Sequence, residues 1–138
     1  MKSRGSVFVD TGAWIALALT RDPLHARAVL TWERLLSAHA RLSTSVPVVL
    51  ETFTFLDRNA ARDVALAWKE SLQTIERFNI LDCKKKDLDE AWLYFRRQDL
   101  HKLSAVDATS FVIMKRENIP AVFCFDHHFA AVGFRMVE

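Results

Sequence analysis

Four carboxylates stand apart from the other acids of this chain because each lies in or at the end of an apolar segment. Asp10 closes Val7-Phe8-Val9, and Asp126 closes Val122-Phe123-Cys124-Phe125. Glu51 interrupts Val48-Val49-Leu50 and Thr52-Phe53, and Asp107 opens the stretch Ala108-Thr109-Ser110-Phe111-Val112-Ile113-Met114. A charged Glu is seldom buried among apolar neighbours without a partner, and Arg58, two helical turns away, is too far to pair with Glu51. Two like charges ~5 Å apart cost about 3 kcal/mol at an effective dielectric of ~20. A divalent cation removes that penalty, and all-oxygen ligation suits Mg²⁺ or Mn²⁺. If the four acids converge, the chemistry they fit is metal-dependent phosphoryl transfer.

Convergence depends on the elements that carry them. The chain alternates short apolar strands with helical segments, the pattern of a parallel α/β sheet. Strands are expected at Ser6 to Asp10, Arg41 to Thr44, Asn79 to Asp82 and Ala121 to Phe125, with a possible fifth at Phe134 to Val137. Helices are expected at Thr11 to Leu19, Leu24 to Ala38, Pro47 to about Arg58, Asp63 to Phe78, Asp87 onward through Phe95, and Ser104 to Glu117. Pro47 suits a first helical turn, where its missing N–H goes unneeded. Asp87 and Glu90 have the spacing of a capping box opening the fifth helix. Open α/β sheets bind ligands in the crevice at the C-terminal ends of their strands, where Asp10 and Asp126 fall.

Each acid also has a purely structural role open to it. Asp10 can cap the helix after it, Asp126 can shape a turn, and Asp107, three residues after Ser104, can complete a capping box. Other chemistries find less support. His127 and His128 are adjacent on a turn, a poor arrangement for both to face one ion; His25, His39 and His101 read as solvent-facing. Ser104, Thr109 and Ser110 have no partnered histidine or glycine elbow, and no GxxxxGK[ST] or GxGxxG occurs. Basic residues gather at Lys84-Lys85-Lys86, at Arg96-Arg97 with Lys102, and at Lys115-Arg116. Such runs are usually solvated faces, but Arg96, Arg97 and Lys102 lead directly toward Asp107.

The 138 residues are expected to form one domain, residues 1–138, with no linker and no internal repeat; the chain has three glycines and three prolines. A net charge of +2 is compatible with nucleic acid without requiring it. Cys83 and Cys124 have no zinc spacing and read as buried free thiols in a reducing compartment. Met1-Lys2-Ser3-Arg4 imitates the start of a signal peptide, but Asp10 and Gly12 break the apolar run behind it. A cytoplasmic protein that does not span a membrane is expected.

Three segments carry a family resemblance. Val7-Phe8-Val9-Asp10-Thr11-Gly12-Ala13-Trp14 resembles the opening strand of PIN-domain ribonucleases. Leu103 to Phe111 resembles their third acidic motif, and Phe125-Asp126-His127-His128-Phe129 with Gly133-Phe134 is similar to the closing motif of VapC-type toxins. The resemblance covers nearly the whole chain. It implies a PIN-like three-layer sandwich, a central parallel sheet of four or five short strands flanked by helices. It implies that Asp10, Glu51, Asp107 and Asp126 are the metal-binding acids of a Mg²⁺- or Mn²⁺-dependent endoribonuclease. Asp10 and Asp107 would be the principal ligands, Glu51 would orient water, and Asp126 would complete a second site. It also implies an RNA substrate, a cognate antitoxin protein and a homodimer, for which the helices bearing Trp14 and Trp32 offer a surface.

One departure is visible. Cys124 stands two residues before the last acid, where these proteins often carry Thr or Ser. A PIN-like module that binds RNA or protein with inert acids is the alternative. A phosphoacceptor receiver domain wants adjacent acids after its first strand, and a haloacid-dehalogenase-like phosphatase wants an acid at Gly12; neither pattern is met.

Overall fold

The computed structural model describes residues 5–138; the basic opening Met1-Lys2-Ser3-Arg4 lies outside them. Five strands pair in the order β3-β2-β1-β4-β5, every pair parallel. They are β1 (Ser6–Val9), β2 (Arg41–Ser45), β3 (Phe78–Leu81), β4 (Ala121–Phe123) and β5 (Arg135–Val137). Central strands of a parallel sheet are covered on both faces and read as unbroken apolar runs. Val7, Phe8 and Val9 of β1 and all of β4 are accordingly buried, whereas the edge strand β3 is partly exposed.

Between strands run α1 (Thr11–Ala18), α2 (His25–Ser37), α3 (Val46–Asn59), α4 (Arg62–Ser71), α5 (Lys85–Ala91), α6 (Ala105–Arg116) and the short α7 (His128–Ala131). From β1 the chain moves outward to β2 and β3, then returns past β1 to β4 and β5. Right-handed crossovers therefore place α1 to α4 on one face and α5 to α7 on the other. The reversal makes the C-terminal ends of β1 and β4 a topological switch point, the ligand crevice of open α/β sheets. The Asp10 N–H donates to the Phe123 carbonyl at 3.0 Å, tying those two ends together.

Each face is filled by its own aromatic cluster. On the first, Trp14 packs against Trp32, Trp68 and Phe78 with ring centroids 5.6, 5.8 and 5.9 Å apart. Its Nε1–H donates to Thr44 Oγ1 at 3.2 Å, and the Thr44 hydroxyl donates to the Val9 carbonyl at 2.8 Å. On the second, Phe111 packs against Tyr94 and Phe129 at 5.0 and 4.9 Å. Such pairs contribute about 0.5–1.5 kcal/mol each beyond the area they bury.

Several boundaries differ from expectation, each for a local reason. The fourth helix stops at Ser71, not Phe78: a 3-10 turn follows at Leu72–Thr74, and Arg77 adopts a left-handed φ of 56° that no helix continues through. Phe78 then begins β3. Asp87 is not the first residue of its helix but lies one turn inside it, where its Oδ2 accepts the Lys84 N–H at 2.9 Å. Lysine has no acceptor to return the bond, so only half of the box forms. The helix gives way to a 3-10 segment at Trp92–Arg96. Cys124 is buried as expected, but Cys83 is only half-buried. His25 faces α1 rather than solvent, its Nδ1 2.7 Å from the Ala16 carbonyl oxygen. Among the described residues no helix is long and apolar enough to cross a membrane.

Candidate active site

All four acids singled out above line one cleft of about 360 Å³, together with Thr11, Gly12, Ser104 and Phe125. Asp10 follows β1, Asp126 follows β4, Glu51 projects from the second turn of α3, and Asp107 sits in the first turn of α6. The switch point supplies the first two; helices from opposite faces of the sheet meet over it to supply the others.

Asp10 holds the N-cap position of α1 by backbone geometry, yet its carboxylate makes no capping hydrogen bond. Its Oδ1 is buried and has no hydrogen-bond partner. Burial lifts its pKa to about 7; the charges of Glu51 and Asp126 add to the rise, while the Thr11 and Gly12 N–H groups oppose it. A buried, unpartnered carboxylate oxygen is costly, and an incoming cation is what would relieve it.

Asp107 tells the same story. The Ser104 hydroxyl oxygen caps α6 by accepting the Asp107 N–H at 3.0 Å. No return bond from the Asp107 carboxylate to Ser104 is present among the described residues, so that carboxylate faces the cleft. Burial first, then the charge of Asp10 and the adjacent Asp126, push its pKa up to about 9. Glu51 is held by Thr11, whose hydroxyl donates to Glu51 Oε1 at 2.5 Å.

Asp126 is different. Burial pushes its pKa up, but the His128 N–H, donated to Oδ1 at 2.9 Å, the contact with Asp107 and the His128 ring hold it below the usual carboxylate range. His128 Nδ1 lies 3.2 Å from Asp126 Oδ2, and its Nε2 lies 2.7 Å from the His101 carbonyl oxygen. One ligand atom each from Asp107, Asp126 and His128 fall within 4.8 Å of one another. His128 thus joins the cluster, while His127 is exposed and does not. Cys124 places its Sγ 3.5 Å from the Asp126 carbonyl oxygen, and burial pushes its thiol pKa up.

Sequence reasoning missed two participants, Thr11 and Arg27, and undervalued a third, His128. Thr11 is separated from Glu51 by 40 positions, so only the fold pairs them. His128 is bound to Asp126 through an i, i+2 turn that any Asp-X-His could form or not form. Arg27 stacks over the Phe125 ring at the cleft wall, 5.4 Å from its centroid, and pairs with Glu138. The basic runs do not line the cleft; Lys85, Arg97 and Arg116 are engaged with Asp89, Asp99 and Asp87, respectively.

The donor set suits a hard divalent ion: carboxylate oxygens predominate, one of them buried without a partner, and the thiol stays protonated. Strands, switch point and acids agree with one family, and the PIN-domain family model matches residues 7–135. The chain belongs to the PIN-domain family. It is 36% identical over 130 residues to the 23S rRNA-specific endonuclease VapC20 of two Mycobacterium tuberculosis strains, covering 93% of this chain and 95% of that protein. The crystal structure of Mycobacterium tuberculosis VapC20, described as a sarcin-ricin loop cleaving toxin, superposes with a TM-score of 0.79 at 31% identity, again over 93% and 95% of the two chains. VapBC2 of Rickettsia felis, solved with a DNA fragment from its promoter, shares the fold with a TM-score of 0.67 at 11% identity over 95% and 96%.

Proposed function

We propose that this PIN-domain chain, acting as one domain, is a divalent-metal-dependent endoribonuclease and the toxin of a toxin–antitoxin pair. The observation that carries the proposal is the buried, unpartnered Oδ1 of Asp10 in a cleft walled by three further acids. Asp10 and Asp107 are the principal ligands for Mg²⁺ or Mn²⁺, because both carboxylates face the cleft without a hydrogen-bonded cation of their own. When bound, the ion supplies a polarised phosphate and a water of lowered pKa.

The protein's own groups do the rest. Glu51, fixed at one oxygen by Thr11, leaves the other to orient water and take its proton. Asp126, held by His128, completes the acidic wall and gives the region near Asp107 a fixed negative charge. Phe125 closes the side of the cleft, with Arg27, paired to Glu138, stacked on its ring. No covalent nucleophile is needed.

The similarity to VapC20 supports the sarcin-ricin loop of 23S rRNA as the substrate, and the toxin reading brings with it a cognate antitoxin as the inhibitor and a homodimer as the working form. Primer extension on 23S rRNA from ribosomes treated with the protein tests the target. A single Mg²⁺- or Mn²⁺-dependent stop within that loop supports it; stops elsewhere, or in free tRNA only, assign another RNA.

A further inference from the structure

A second cleft, of about 620 Å³, adjoins the acidic one along α3 and shares two residues with it, Glu51 and Phe55. Its walls are apolar side chains that a soluble surface ordinarily hides: Leu50 is 63% exposed and Phe55 38% exposed, with Val106 opposite. Arg58 stands at its far end and enters no ion pair among the described residues, since neighbouring Asp57 is taken by Arg62. Glu51, Phe55 and Arg58 are spaced i, i+4 and i+7, so they share one helix face, with about 10 Å of axial rise between the first and the last.

Acid, aromatic ring and free cation in that order match one nucleotide step of a single strand. We propose that the α3 cleft is the subsite for one unstacked nucleobase beside the scissile phosphate, with Phe55 as its stacking platform and Arg58 as the contact for the next phosphate. The proposal rests on the endoribonuclease reading above and names what that site recognises beyond the phosphate. A strand whose phosphate lies among the acids must carry a neighbouring base past Phe55, because the two clefts share that ring. Single-stranded RNA is characteristically read by splaying bases onto aromatic side chains. A protein segment would fill the apolar walls equally well but has no need of a cation at the far end, which is why RNA is the occupant favoured.

The test uses a synthetic RNA spanning the mapped cut and two copies of it, each abasic on one side of the scissile bond. Wild-type protein is expected to lose about 10- to 100-fold in kcat/KM on one abasic RNA only. Phe55→Ala should lose a similar factor on the intact RNA and then be indifferent to that abasic position, whereas Phe55→Tyr, which keeps the ring, should behave as wild type. Arg58→Ala should lower the salt dependence of binding by about one phosphate contact. Abasic and Phe55→Ala losses that multiply independently, or wild-type cleavage indifferent to both abasic RNAs, would overturn the subsite while leaving the ribonuclease intact. The abasic comparison on wild-type protein decides even if Phe55→Ala fails to fold. If wild-type protein cuts no RNA, the subsite falls together with the function it serves. A concentration-dependent dimer lost in Leu50→Arg, with abasic responses absent, would assign the cleft to a second copy instead.

Discussion

The Thr11 hydroxyl holds Glu51 across 40 positions of sequence, donating to Oε1 at 2.5 Å and linking the first turn of α1 to the second of α3. Glu51 is otherwise free to swing, since a Glu side chain has several rotamers to lose on ordering. Thr11→Val keeps the shape and removes the donor. Residues that orient ligands typically alter activity about 10- to 100-fold, and a loss of that size in kcat is expected, with the fold unchanged by circular dichroism. Thr11→Ser should recover most of it; equal loss in both variants would show that the hydroxyl is not what matters.

Stability without metal should fall as the solution becomes more alkaline. In the unfolded chain Asp10 and Asp107 release protons near their ordinary value of 3.8, whereas the fold holds them to about 7 and about 9. Between those limits the folded state binds more protons than the unfolded one, so its stability is fully present below pH 4 from these groups and drains as pH rises through 7 and then 9. Melting in EDTA should show Tm decreasing from pH 5 to 9, and Asp107→Asn should flatten the upper part of that decline. Mg²⁺ or Mn²⁺ should restore Tm most at high pH, where the acids are ready to ligate. A Tm in EDTA that rises across this range would contradict the assigned environments.

Trp14 tests how far the early helices serve the core. It is 3% exposed and anchors three aromatic contacts and the bond to Thr44. With Trp32 it walls a cleft of about 570 Å³, but it offers no exposed patch of its own for a second copy. Trp14→Ala is expected to cost about 3–5 kcal/mol in urea unfolding. An unchanged unfolding midpoint accompanied by a loss of dimer would return Trp14 to an interface role.

The strand-ending acids were legible in the sequence because a carboxylate closing an apolar run can hardly be placed elsewhere in an α/β sheet. Glu51 was legible for the opposite reason, as a charge with no local partner. Boundaries were harder. The apolar period from Val64 to Ile75 runs on past Ser71, and nothing local announces the left-handed Arg77 that ends it. Thr11 and Arg27 were invisible because their partners, Glu51 and Phe125, are brought near only by the sheet. His128 was undervalued because adjacency to His127 suggested that the pair must act together, whereas the turn turns one ring inward and the other out.

On the proposed function, these four acids hold the metal with which the protein cuts RNA. The most direct measurement is cleavage of purified rRNA and tRNA in Mg²⁺, in Mn²⁺ and in EDTA, by wild type and by Asp10→Asn and Asp107→Asn. Discrete fragments that require metal and disappear in both folded variants are the expected result. Cleavage that persists in both variants, or no cleavage and no metal binding by wild type, would contradict it and leave the fold as an inert binding module.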